Sequence, residues 1–151
     1  MKRLALPLLA AILSAACQRA PEAPRVTVDN AVVTVPAVPG APGAAYFTLR
    51  TNNDPARLVS VTSPAIRNIE LHESREQGGR TQMSPLKLDQ TSFGPSAPLV
   101  FAPGGRHAML MGMDPALRPG GKVMLTFNVD PVGPIAAEAE IRAPGQGHAE
   151  H

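Results

Sequence analysis

The sequence predicts an all-β domain, a β-sandwich or Greek-key barrel, on three observations. Short runs alternate between apolar and polar residues, the period of a half-buried strand. Turn-forming residues punctuate these runs, with 17 prolines and 13 glycines in 151 residues. No stretch sustains the 3.6-residue period of an amphipathic helix. Seven to nine strands are expected, with no internal repeat.

The elements follow in order. "VTVDNAVVTVPAVP" is valine-rich and weakly alternating, which predicts one or two strands. "PGAPG" is a turn signal, and a strand follows at Ala45–Arg50. "TNNDPAR" clusters Asn, Asp and Pro and reads as a turn; "LVSVTSP" is a strand closed by Pro64. "IRNIELHES" alternates, with Ile69 and Leu71 on one side and Glu70 and His72 on the other. "REQGGR" is a hairpin turn, and "TQMSPLKL" is the returning strand. "DQTSFGPSAP" reads as an irregular loop. "LVFAPGGRHAMLMGM" holds a strand, a turn and a strand, and "DPALRPGGK" is a loop. "VMLTFNVD" alternates clearly. "IAAEAEIRA" has helical propensity, yet Ile135, Ala137, Ala139 and Ile141 alternate as in a closing strand.

The two ends carry their own signals. Met1-Lys2-Arg3, an apolar run from Leu4 to Leu13 and the small residues Ser14-Ala15-Ala16 make a three-part export signal over residues 1–16. The run is shorter than the roughly 20 residues a spanning helix needs. Cys17 follows directly, and the junction resembles a bacterial lipoprotein signal in which that cysteine is lipidated; plain cleavage and secretion is the alternative. Residues 17–25 are Pro-rich and read as a tether, residues 26–143 as one domain, and residues 144–151 as a polar tail containing His148 and His151. Contact with a membrane is expected only through a lipid on Cys17, and the signal implies export from the cytoplasm. The chain has 14 Lys and Arg against 12 Asp and Glu, but Lys2 and Arg3 lie in the leading segment, which leaves 12 of each. With no basic run and no aromatic interleaving, nucleic acid is not an expected partner. Cys17 is the only cysteine, so the domain has no disulfide, thiolate ligand or redox dithiol.

The chemistry-bearing residues are sparse. Two of the four histidines, His72 and His107, lie inside the domain, and each has a methionine partner. Ten residues separate His72 from Met83 across the "REQGGR" turn, and one residue separates His107 from Met109. Positions two apart on a strand share a face at about 7 Å, so a hairpin and a neighbouring strand can converge two imidazoles and two thioethers. Such a set is soft and neutral and suits Cu(I). It lacks the oxygens that calcium or magnesium need, and two methionines argue against zinc. Methionine at alternate strand positions is more often core filler than ligand, and a lone strand histidine is more often satisfied by a hydrogen bond. Spacing alone leaves both readings open. Met111, Met113 and Met124 are expected in the core, and Pro103-Gly104-Gly105 as the turn that sets the approach of His107.

His72, ten residues, Met83, 23 residues, His107, one residue, Met109 resembles the pattern of the periplasmic copper chaperones called PCuAC. "AAYFTLR", "RLVSVTSPAIRNIELHES", "APGGRHAMLMGM" and "LRPGGKVMLTFNV" look like segments of that family in the same order. The departures are Ala108, where a larger aliphatic residue is usual, and two extra residues before His107. The resemblance implies a cupredoxin-like β-sandwich binding one Cu(I) through His72, Met83, His107 and Met109. It also implies delivery in the bacterial envelope toward the copper-bearing subunit of cytochrome c oxidase, alongside a Sco-type protein. Apart from the resemblance, His148 and His151 in the tail are a candidate secondary site for Cu(II), with a solvated polar terminus as the alternative.

Other function classes make different predictions. A blue-copper carrier needs a cysteine that the domain lacks, and a histidine-brace oxygenase starts with histidine. A non-catalytic structural or adhesive β-sandwich lipoprotein binds no metal and is indifferent to His72→Ala. Because histidine ligates only when neutral, copper affinity is expected to weaken near and below the free imidazole pKa of about 6.5.

Overall fold

The structure is a computed structural model, and it describes residues 25–145. The export signal, Cys17, His148 and His151 lie outside those residues. Ten strands make up the described fold: β1 (Val26–Thr34), β2 (Gly43–Thr51), β3 (Ala56–Thr62), β4 (Ile66–Gln77), β5 (Arg80–Pro85), β6 (Ser92–Phe93), β7 (Leu99–Phe101), β8 (Arg106–Met113), β9 (Lys122–Asp130) and β10 (Gly133–Arg142). The seven to nine strands expected fall short of this because β6 and β7 have only two and three residues. Segments so short show no alternation to read. The "irregular" loop in fact contains a 3-10 turn at Leu88–Thr91 and then β6.

The strands run in the order β5-β4-β8-β2-β1-β10-β9-β3-β6, with β7 also paired to β2. The sheet closes over a core drawn from both halves of this order. Ala45, Phe47, Leu49, Ala108 and Leu110 come from one half, and Leu58, Val61, Leu125, Phe127 and Ile141 from the other. Phe47 ties the halves together: its ring stacks on Phe101 at 4.4 Å and meets Phe127 edge-on at 4.8 Å. This is the predicted all-β sandwich. β1 joins its two sides, since it pairs antiparallel with β2 and parallel with β10. Its register shifts between Asp29 and Val32, where Asn30 takes a φ of 52°. That break is why the valine-rich stretch alternated only weakly.

Period-two patterning accounts for the strands that carry the core. Along β9, Val123, Leu125, Phe127 and Val129 are buried while Lys122, Met124 and Asp130 are exposed. β10 alternates in the same way and pairs along β9 in continuous register, so the alanine- and glutamate-rich segment is a strand despite its helical propensity. Cross-strand pairing outweighs propensity there.

The methionines need correction. On β8 the buried residues are Ala108 and Leu110; Met109 and Met111 lie on the opposite face, half-buried. Residues two apart share a face, so Met111 goes with Met109 and not with the core. Met124 is 43% exposed, opposite Glu138. Of the three methionines expected inside, only Met113 packs against the core cluster. Its sulfur reaches Gly43, where an added Cβ would lie 2.5 Å from Sδ and 2.7 Å from the Thr34 carbonyl oxygen.

Candidate metal centre

Three neighbouring strands position the candidate ligands. Gly78 and Gly79 both have positive φ, 62° and 74°, which is the backbone of a tight two-residue hairpin turn. They join β4 to β5 with Gln77 opposite Arg80. β8 lies on the other side of β4, and there His72 is the register partner of His107. The two imidazoles stack with centroids 6.1 Å apart and an interplanar angle of 21°.

His107 is oriented by its own turn. The Ala102 N–H donates to the Arg106 carbonyl at 2.8 Å, closing the loop through Pro103 and Gly104. That loop aims the Gly105 carbonyl at the ring, 3.1 Å from His107 Nδ1. A carbonyl only accepts, so Nδ1 carries the proton and Nε2 keeps a lone pair free for a metal. The same carbonyl accepts from the Ser74 N–H at 3.0 Å, which fastens the turn to β4.

His72 is 7% exposed. Its Nδ1 is buried and, among the described residues, has no hydrogen-bond partner. Its Nε2 lies 3.8 Å from Glu70 Oε2, and the other oxygen of Glu70 accepts from Asn68 Nδ2 at 3.0 Å. An orphaned nitrogen at this depth is costly in a structural residue, and is what an imidazole waiting for a metal presents.

The methionines complete the face. Met109 lies opposite Glu70 on β4 and Ala44 on β2, two residues from His107. Met83 lies opposite Ser74, diagonal to His72 and on the same face, and is 55% exposed. Met83, His107 and Met109 line one cavity of about 430 Å³ together with Ser74, Tyr46 and Gly104. His72 is not among its lining residues; it reaches this group through its ring contact with His107. Burial pushes the Tyr46 hydroxyl above its usual pKa, so this wall remains an uncharged phenol at neutral pH. Pro144, the first residue of the tail, also borders the cavity.

The candidate donors are therefore two sulfurs and two nitrogens. Among the described residues, no group of three or more His, Cys, Asp or Glu side chains is placed to hold a metal. Thioethers among the candidate donors would favour a soft, monovalent ion. Glu73 is engaged elsewhere, 2.6 Å from Arg75 and 4.0 Å from Arg106. The sequence reading passed over Glu70, Asn68 and Tyr46. Alternation did place Glu70 on the His72 side, but nothing in a single sequence shows that Asn68 holds its carboxylate.

Comparison with known proteins places this geometry in a family context. The sequence model of a family described as LpqE-like putative lipoproteins matches residues 26–141. A putative lipoprotein of Leifsonia xyli subsp. xyli is 33% identical over 88 residues, 57% of this chain and 52% of that protein. An uncharacterized protein of Rickettsia prowazekii is 34% identical over 88 residues, 58% of this chain and 48% of that protein. The match thus spans about half the length of these curated relatives. Among solved structures, apo-DR1885 from Deinococcus radiodurans superposes with a TM-score of 0.59 at 27% identity, covering 97% of each chain. The copper-bound PCuAC domain of PmoF2 superposes with a TM-score of 0.59 at 20% identity, over 79% of this chain and 93% of that one. The fold is that of PCuAC domains, a cupredoxin-like β-sandwich.

Proposed function

Because the chain belongs to the LpqE-like family of putative lipoproteins, we propose that it is a non-catalytic copper carrier of the bacterial envelope. It binds one Cu(I) through His72, Met83, His107 and Met109. The observation that carries this reading is His72: a buried imidazole with an unpartnered Nδ1, stacked on a second imidazole whose tautomer is fixed, beside a cavity lined by two thioethers. The Cu(I) form of DR1885 adds support, with a TM-score of 0.54 at 25% identity over 85% of this chain.

Four neutral ligands suit a cargo that must leave again. They add no anionic charge that would favour the divalent ion, and the domain offers no thiolate to trap copper. Transfer proceeds by stepwise exchange, an acceptor ligand replacing one of the four at a time. Without a cysteine pair the chain cannot reduce an acceptor's cysteines, so a Sco-type protein or equivalent reductant has to do so. The resemblance to PCuAC proteins makes the copper-bearing subunit of cytochrome c oxidase the proposed recipient. The family description and the Leifsonia relative's name support lipid attachment, for which Cys17 is the proposed site and the periplasm the proposed location. No described helix is long and apolar enough to cross a membrane.

A Cu(I) competition titration tests the reading, with wild type beside His72→Ala and Met109→Ala. One equivalent bound by wild type and a loss of at least tenfold in affinity in each variant is expected. Absence of Cu(I) binding by wild type would instead favour the structural or adhesive lipoprotein. Delivery is tested by deleting the gene and assaying oxidase activity at limiting copper, where activity should fall and recover with added copper.

A further inference from the structure

β5 forms one end of the strand order, and among the described residues nothing pairs with its outer side. All six of its residues are exposed. Natural sheets guard such edges with lysine, proline, bulges or very short strands, because an open edge recruits other chains. β5's one charged residue, Arg80, stands at its hairpin end, its ladder to β4 runs without a register shift from Gln77–Arg80 to His72–Pro85, and its one proline, Pro85, closes its far end. The edge is open from Arg80 to Ser84.

The hydrogen-bond parity of this edge can be worked out. The Leu86 N–H donates to the Leu71 carbonyl at 2.8 Å, and Leu71 and Leu86 extend the β4–β5 register. In an antiparallel ladder, bonded and non-bonded pairs alternate. Ser84, Gln82 and Arg80 therefore turn their backbone groups inward to β4, as the tight Gly78-Gly79 turn also requires. Thr81 and Met83 turn theirs outward. Met83 is thus doubly exposed: its thioether stands beside the candidate copper site, and its own N–H and C=O face solvent at the sheet edge. The side chains sharing its face on β5, Thr81 and Pro85, are uncharged, while Arg80 lies on the other face.

We propose that the outer edge of β5 is the docking site for an extended segment of the copper acceptor, which adds to the sheet as an eleventh strand. The backbone groups of Thr81 and Met83 hold the incoming strand. A residue paired with Met83 then has its Cβ about 5 Å away on the copper face, and residues two positions along share that face. An acceptor presenting thiolates, thioethers or imidazoles at alternate positions is thereby placed in line with the most exposed ligand. Strand addition of this kind draws affinity from the main chain and specificity from alternate side chains. The acceptor's role rests on the copper reading above; docking at the edge does not.

The test uses the full chain and a synthetic eight-residue peptide alternating cysteine and threonine. Its control is the same peptide N-methylated at the amides that would face β5. In the metal-free protein, the first peptide should slow amide exchange at Thr81 and Met83 at least fivefold and leave Gln82 and Ser84 unchanged, while the control does nothing. In the Cu(I)-loaded protein, the first peptide should extract copper at least tenfold faster than the control. Thr81→Pro removes one outward donor at a position where proline is tolerated, and should abolish both effects. Thr81→Ala, which keeps the N–H, should retain them. Equal exchange protection with both peptides, or protection of Gln82 and Ser84 in place of Thr81 and Met83, would overturn the proposal. Protection without any Cu(I) binding would sustain the docking edge and sink the copper reading alone.

Discussion

Replacing His72 by leucine should make the metal-free protein more stable while removing its ability to hold copper. In the folded chain His72 is 7% exposed and its Nδ1 has no partner among the described residues. An unsatisfied buried polar atom costs about 1–3 kcal/mol. Leucine has a similar volume and no polar atom to leave unpaired. The one polar contact forfeited, Nε2 to the half-exposed Glu70 carboxylate at 3.8 Å, is worth at most about 1 kcal/mol. The balance is a gain of about 1 kcal/mol, or roughly 3–6 °C in Tm for a domain of this size. Copper should reverse the order. At a free Cu(I) concentration of about 1,000 times Kd, binding stabilises the wild type by about 4 kcal/mol, and His72→Leu receives none of it. The assay is thermal unfolding of both proteins, metal-free and under buffered Cu(I). A metal-free variant melting below wild type would refute the argument, because Nδ1 would then be contributing to the fold. An equal copper-induced rise in both would remove His72 from the site.

Other expectations are equally direct. Gly43→Ala places a methyl group against the Thr34 carbonyl and the Met113 sulfur, and the backbone oxygen cannot yield; denaturant unfolding should show a loss of about 1–3 kcal/mol. Phe127→Ala removes the ring that meets Phe47 across the core and should cost about 3–5 kcal/mol, enough to leave the domain partly unfolded. Cu(I) affinity measured by competition should fall on acidification, since protons compete with the metal for imidazole nitrogen; a flat profile from pH 7.5 to 5 would argue against histidine ligation. Deleting residues 146–151, which removes His148 and His151 and spares Pro144, should lower the Cu(II) stoichiometry and leave Cu(I) binding intact, as read by equilibrium dialysis of each ion.

The sequence carried the strands wherever alternation ran long enough to be counted. β9 and β10 could be read directly because each has a more buried and an exposed face over nine or more residues, whereas on β4 the buried Ile66 and His72 lie on the face opposite the half-buried Ile69 and Leu71. β6 and β7 could not, because pairing to longer neighbours, and not their own pattern, makes them strands. The methionines show a different limit. Methionine is apolar enough for a core and soft enough for a metal, so composition does not distinguish the two uses. On β8 the deciding residues are the small Ala108 and the branched Leu110, which fill the core face and leave the methionines to the other. The pairing of His72 with His107 was hidden for a topological reason: 34 positions separate them in the chain, and only the β4–β8 register brings the rings together.

That register also makes the four candidate ligands unequal, and the inequality bears on how copper would leave. His72, His107 and Met109 stand on β4 and β8, each of which is bonded on both sides. Met83 stands on an edge strand whose residues are all exposed. Edge strands open at lower free energy than central ones, and a thioether on a flexible stem costs little to displace. Release should therefore begin at Met83, leaving copper briefly on the other three. Met83→Leu should accordingly raise the dissociation rate of Cu(I) at least tenfold while a three-coordinate complex persists, visible as an altered X-ray absorption edge. His107→Ala, which removes a ligand from a central strand, should abolish the complex. If Met83→Leu eliminated binding outright and His107→Ala merely weakened it, the order of release would be reversed, and the edge strand would be the anchor instead of the gate.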